Sequence, residues 1–217
     1  MLILMVKSKS NEITELHIER YNKKIEQHGI GDIKALGWGS REQQIFRFEK
    51  ALESLDPTNK SVLDIGCGAG DFYSFLQNNS RITNYTGWEI NQNFLNEAQS
   101  RFPSCKFDPV DISQINSNQE HAQYGYMMGL LNFKLDLHNN LAYSETLIRN
   151  AFSAVKEALL VDFISINRDL SYPIEQFIFY HDPRSVVHIA SKISTNFVLR
   201  HNYAPIPQKE FNLVIYK

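Results

Sequence analysis

A handful of acids and glycines carry the chemistry in this chain. Residues 62–72 read VLDIGCGAGDF, an apolar run that reaches Asp64 and then breaks into Gly66, Gly68 and Gly70, with Asp71 directly behind. Glycine has no Cβ and accepts positive φ, so a turn built from it lets a ligand lie against bare backbone. The spacing is G-x-G-x-G, and Asp71 stands where a dinucleotide fingerprint would place its third glycine. A further anion at that point repels a pyrophosphate. Asp64 and Asp71 instead suit a cationic ligand, a sulfonium or an ammonium, or the water around one.

Two more acids follow. About 20 residues beyond the turn, Trp88-Glu89-Ile90 ends a second apolar run, where Glu89 can accept two hydrogen bonds from a ribose diol. A glutamate in the first turn of a helix, favoured by the dipole, is the plain alternative. Asp111-Ile112 ends a third run and pairs a carboxylate able to accept from an exocyclic amine with an apolar residue able to pack on a ring. Asp111 could equally close a turn or cap a helix.

These residues need strands and helices to hold them. Asn11 to His28 has Ile13, Leu16, Tyr21 and Ile25 near helical spacing, and Gly29 follows as a stop. Ser40 and Gln43 have the spacing of a capping box ahead of the stripe Ile45, Phe48, Leu52 and Leu55, which Asp56-Pro57 ends. From residue 61 short apolar strands alternate with helices: strands over 61–65, 82–90, 105–112, 124–131 and 158–166, and helices over 72–77, 91–102, 143–158 and 182–194. The last two strands, 197–203 and 211–217, are close enough to pair antiparallel as a hairpin. The expected fold is therefore α/β, a mostly parallel sheet with helices on both faces. Residues 1–55 form an N-terminal helical cap or lid, and 56–217 form one main unit.

With 217 residues and 43% hydrophobic composition the chain can fill one core, and 22 Lys and Arg against 24 Asp and Glu leave a formal charge of −2. No broad basic field awaits nucleic acid or an anionic lipid surface. The opening MLILM is short for a signal segment, and no run approaches the roughly 20 apolar residues of a membrane span. The expected location is cytoplasmic, with no membrane partner. Cys67 and Cys105 have neither paired spacing nor a histidine cluster beside them, so no metal is expected.

Taken together, VLDIGCGAGD, YTGWEI and Asp111-Ile112 resemble the class I S-adenosylmethionine-dependent methyltransferases over about residues 60–217. The cofactor of that family, S-adenosylmethionine, carries both a sulfonium and an ammonium. The resemblance implies a Rossmann-like seven-stranded sheet with strand seven antiparallel between strands five and six. It implies that Asp64, Gly66, Gly68 and Gly70 shape the methionine end of the site, that Glu89, followed by Ile90, holds the ribose, and that Asp111 beside Ile112 takes the adenine amine. Met128 would lie alongside the cofactor, or serve simply as core. More narrowly, ALGWGSREQQIFRFEKAL, GLLNF and FYHDPRSVVHIASKIS are similar to a group of small bacterial methyltransferases. That similarity implies that the N-terminal helices and Trp38 cover the cofactor and that Arg47 receives the methionine carboxylate, unless Arg47 is an exposed helix residue.

Methyl transfer from a sulfonium is an in-line displacement, so the protein must align donor and acceptor and exclude water. A base helps when the acceptor is a hydroxyl or an ammonium. His138, Tyr143, His181 and His201 are the rim candidates, each with an ordinary structural role as its alternative. His181, just ahead of a helix, is foremost, with Tyr180 beside it to orient a substrate. No N-P-P-Y segment and no paired-glutamate loop is present, and Asn132 stands where a metal-dependent catechol enzyme needs an aspartate. The expected acceptor is a small molecule methylated at O or N, with Asn132 bonding to it or closing a turn. A non-catalytic S-adenosylmethionine-binding subunit, or an enzyme acting on a macromolecule, is the alternative.

Overall fold

The computed structural model describes residues 9–115, 119–170, 173–202 and 210–217; the opening MLILM and the 203–209 connection lie outside them. Seven runs form one sheet: β1 (Ser61–Ile65), β2 (Asn84–Glu89), β3 (Lys106–Pro109), β4 (Ala122–Met127), β5 (Val155–Ile164), β6 (Phe197–Arg200) and β7 (Glu210–Tyr216). Their order across the sheet is β3-β2-β1-β4-β5-β7-β6. Strands β1 to β5 are parallel, and β7 runs antiparallel to both β5 and β6, so the expected antiparallel end is present. Parallel neighbours need long crossovers. Helices α3 (Asp71–Asn79), α4 (Gln92–Arg101) and α5 (Asn140–Ser153) supply three of them, and α6 (Pro183–Ser191) leads from β5 to β6.

Burial explains the two-sided cover. Along β5, Ala158 and Leu160 face one layer while Leu159, Val161 and Phe163 face the other, the two-residue alternation of a strand buried on both faces. The first layer contains Phe72 and Leu76 of α3 and Leu95 and Ala98 of α4. The second contains Leu147, Ile148 and Ala151 of α5 and Val186, Ile189 and Ala190 of α6. The helix expected over 143–158 is shifted. Asn139 caps it by accepting from the Ala142 N–H at 3.1 Å, and it ends at Ser153, because Val155 to Ala158 already pair with β4. The β-branched Val155 belongs to the strand.

Two helices precede the sheet, α1 (Lys9–His28) and α2 (Arg41–Ser54). Ser40 accepts from the Gln43 N–H as the N-cap of α2, and Phe48, Ala51 and Leu55 enter the α3 layer. On α1 the expected stripe is rotated: Ile13 and His17 are buried, whereas Leu16 is 39% exposed. Among the described residues no helix is long and apolar enough to cross a membrane. The chain leaves β1 for β2 on one side and later adds β4 on the other. A crevice opens at the carboxyl ends of strands where the order reverses in this way.

Candidate functional site

The turn after β1 forms the floor of that crevice. Gly66 and Cys67 donate to the Trp88 carbonyl at 2.8 and 3.0 Å, which carries the β1–β2 ladder into the turn. Gly66 (φ +77°) and Gly68 (φ +55°) hold left-handed backbone that strains any residue with a Cβ. A Cβ added at Gly66 would lie 2.9 Å from Leu130 Cδ1, and one at Gly68 would lie 2.6 Å from Leu36 Cδ2. Gly70 differs from the expectation. It is the N-cap of α3, it is not among the cleft-lining residues, and its missing Cβ makes room for the Phe102 ring at 3.0 Å.

Glu89 lies buried at the end of β2. Its Oε2 accepts the Gly68 N–H at 2.9 Å and its Oε1 accepts the Asn91 N–H at 2.8 Å. Burial pushes this carboxyl above its usual range, while the backbone N–H groups of Asn91, Gly68 and Ile90 pull it back. A carboxylate has about four acceptor positions. The side chain is thus oriented by main chain, with capacity left for a ligand. Asp64, at the end of β1, is also buried and accepts the Tyr85 hydroxyl at 2.6 Å. Burial raises it to about 7, with Glu89 and Asp71 pushing the same way.

Asp71 lines the cleft, but its charge is already met. Oδ1 accepts from Arg101 at 2.8 Å, and Oδ2 accepts from Arg41 at 2.9 Å and Gln44 at 3.1 Å. Burial raises this carboxyl; the bonds from Arg101 and Gln44 and the Arg41 charge outweigh it, and the net shift is downward. The acid expected to face a cationic ligand faces two arginines of the protein instead.

Helix α2 and the loop before it form one wall. Trp38, Arg47, Ile90 and Met128 all line the cleft. Trp38 lies close against Gly129, and the Arg47 guanidinium stacks 4.7 Å from its ring. Arg47 is neither an exposed helix residue nor free for a ligand carboxylate. It is buried, Nε donates to Asp162 Oδ2 at 2.7 Å, Nη2 is ion-paired with the same oxygen, and Nη1 lies 3.2 Å from Glu210 Oε1. Asp162 Oδ1 accepts the Gly129 N–H at 2.7 Å, so the pair also fixes the loop after β4.

The expected adenine residues have other tasks. Asp111 Oδ1 accepts the Ser113 N–H at 2.8 Å as the cap of a single 3-10 turn, Ile112–Gln114, and Oδ2 accepts the Thr14 hydroxyl of α1 at 2.6 Å. Ile112 packs in the α5 layer with Trp88 and Leu147. Neither residue is among those lining the cleft. The cap reading of Asp111 is the one observed.

His181 also needs correcting. It is fully buried, edge-on to Phe163 and Phe179 at 4.8 and 4.7 Å, with Nε2 3.3 Å from the Ser144 hydroxyl. Burial lowers its pKa to about 3, so it stays neutral. Its backbone bonds to Ile164 and Ile166 turn the imidazole into the α5 side of the sheet and away from the cleft. Tyr180 accepts the Glu175 N–H at 3.1 Å and ties down its own loop. His138, Tyr143 and His201 do not line the cleft either. Among the described residues no group of three or more His, Cys, Asp or Glu could hold a metal ion.

The imidazole that does line the cleft is His17 of α1. It is 5% exposed, edge-on to Phe133 at 4.9 Å, and its Nε2 is buried without a partner. Burial, with the nearby Arg20 charge, lowers it to about 4 and keeps it a neutral base. Arg20, one turn on, stacks 4.2 Å above the Phe133 ring. Asn132, 5% exposed, accepts the Ile164 N–H with Oδ1 at 3.0 Å, and its Nδ2 is buried without a partner.

A family described as "Methyltransferase domain" matches residues 62–158. No curated protein matches the chain. Among solved structures, the chain resembles magnesium protoporphyrin IX methyltransferase from Synechocystis with bound SAH, at 13% identity and a TM-score of 0.65 over 97% of this chain and 100% of that one. It resembles a DhpI–SAH complex at 10% identity and a TM-score of 0.66, over 96% and 97%. An S-adenosylmethionine-dependent methyltransferase from Clostridium acetobutylicum matches at 14% identity and a TM-score of 0.58, over 94% and 98%. The glycine turn and Glu89 fall inside the matched segment, and Asp162 lies four residues beyond its end. Residues 62–158 thus match a methyltransferase-domain family, and the chain as a whole has the fold of the solved S-adenosylmethionine-dependent methyltransferases.

Proposed function

We propose that this chain takes a methyl group from S-adenosylmethionine and passes it to a small molecule, at oxygen or nitrogen. The observation that carries the reading is Glu89, a buried carboxylate braced by the Gly68 and Asn91 N–H groups at the edge of a glycine-rich turn. The donor set fits the cofactor. Glu89 keeps lone pairs for a ribose diol, Gly66 and Gly68 leave main chain open to close approach, and Asp64 faces the same crevice as an acid that a cation would help ionise.

When bound, S-adenosylmethionine supplies a methyl group already activated by the positive charge on its sulfur. The protein contributes placement and dryness. Trp38, Phe48 and Met128 close one wall with apolar surface, and α1 closes the other. Glu89, the Gly66–Gly68 turn and Asp64 would hold the cofactor, and the chemistry it would supply is an in-line displacement that leaves the carbon–sulfur pair on sulfur. The acceptor's proton passes to neutral His17, whose Nε2 has no other partner. The formal charge of −2 offers no general attraction for a polyanion, which favours a small acceptor.

Calorimetric titration with S-adenosylhomocysteine tests the cofactor half directly. Glu89→Ala should weaken binding by roughly 1–3 kcal/mol through loss of the ribose bonds, whereas unchanged affinity refutes the assignment.

A further inference from the structure

The cleft is polarised. Its three lining acids, Asp64, Asp71 and Glu89, all belong to the β1–β2 side. The opposite side, between α1 and the segment after β4, is lined by Arg20, Lys24, His17, Asn132, Phe133 and Ile178, and includes no carboxylate. Two of these residues have an unmet polar atom. The Asn132 amide cannot turn over, because its oxygen is held by the Ile164 N–H, and so it presents a donor with nothing to bond. Leaving such a donor buried and unpaired costs about 1–3 kcal/mol, which a ligand acceptor would recover. Arg20 is half-buried over Phe133, with one long bond of 3.4 Å to the Phe177 carbonyl. The exposed Glu175 acts on Arg20 and Lys24 through its charge, yet it is not one of the cleft-lining residues.

We propose that this side selects an acceptor that joins a carboxylate to a compact apolar body, the carboxylate received by Arg20 and by Asn132 Nδ2, the body seated on Phe133 and Ile178. The inference rests on the reading of the cleft as a methyl-transfer site and narrows the substrate to one chemical class. A guanidinium and an amide N–H together match the two oxygens of a carboxylate, which accepts without donating. A neutral amide of the same shape satisfies neither donor as well.

The test titrates the full chain, with and without S-adenosylhomocysteine, against matched pairs: phenylacetate and phenylacetamide, salicylate and salicylamide, hexanoate and hexanamide. At least one acid should bind about tenfold or more tightly than its amide. Asn132→Asp keeps the oxygen that holds Ile164 and replaces the donor with an anion. It should abolish acid binding and spare the amide. Arg20→Gln should bring the acid-to-amide ratio close to one, and it covers the case in which the Asn132 variant does not fold. Equal affinity within every pair, no binding by any acid, or a preference that survives either folded variant overturns the proposal. A chain that prefers acids yet ignores S-adenosylhomocysteine would refute the methyl-transfer reading and leave the acid pocket standing.

Discussion

Helices α1 and α2 both roof the cleft, and they are attached in opposite ways. Helix α2 is bolted into the sheet. Phe48 packs 5.1 Å from Phe72 and 5.5 Å from Phe75, the Leu55 carbonyl accepts the Tyr126 hydroxyl, and Arg47 is buried between Asp162 and Glu210. Helix α1 is latched at points. Thr14 donates to Asp111, Asn22 Oδ1 accepts from Asn91 at 2.8 Å and Asn93 at 3.1 Å, and Tyr21 meets Phe94 edge-on at 5.9 Å. Tyr21 and Ile25 join only a small cluster around Ala35, Ala69 and Phe94, outside the two layers of the sheet. Arg20, proposed to touch the acceptor, lies on the latched helix, whereas Arg47, which fixes the loop after β4 through Asp162, lies on the bolted one. The contrast predicts that α1 opens at lower cost than the whole fold.

The largest effect that tests this contrast is Arg47→Ala. It leaves Asp162 and Glu210 buried without their cation and should cost about 3–5 kcal/mol in urea unfolding. A loss below about 1 kcal/mol would show that the bolt is only apolar packing. Next is Glu210→Gln. Burial, opposed by the Arg47 charge, raises this carboxyl from 4.5 to about 7, so the folded state holds its proton more tightly than the unfolded one. Folding therefore loses stability as pH climbs from about 4.5 to about 7 and no more above it, and a glutamine cannot titrate. The variant should gain on the parent across that window and stay level beyond it; a gain in the opposite direction shows Arg47 dominating. The smallest is Thr14→Ala, which should cost about 1 kcal/mol. Hydrogen exchange should quicken in α1 while β5 amides keep their protection. If both regions quicken together, α1 is as integral as α2.

In the sequence these two helices looked alike, and the reason explains what was legible. Period and caps report which face of a helix is apolar, and they report the succession of elements along the chain, the glycine turn and the place of Glu89 at the end of β2, since each is set by neighbours a few residues away. The same rule preferred Leu16 to His17, because hydropathy ranks leucine above histidine, and so passed over the imidazole that lines the cleft. Arg47 meets partners 115 and 163 positions along the chain, on β5 and β7, and no local pattern announces a pairing at that distance. His181 stands just ahead of a helix in the sequence, but its bridge to Ser165 and its ring's place between Phe163, Phe179 and Ser144 join segments that no local pattern relates. Asp111 had two readings with the same local signature, a cap and a ligand, and Thr14 of α1 takes one of its oxygens. Asn132 was open between turn and substrate. Its amide oxygen does the structural work, and its nitrogen remains available.

The missing side chains at Gly66 and Gly68 tie the turn to two remote stretches of chain. Leu36, from the loop ahead of α2, and Leu130, from the segment after β4, fill the places that side chains would take. Any newcomer at either glycine inherits a twisted main chain and collides with a leucine as well. A side chain at either glycine therefore needs a compensating change at Leu36 or Leu130, for reasons of space before any ligand is considered.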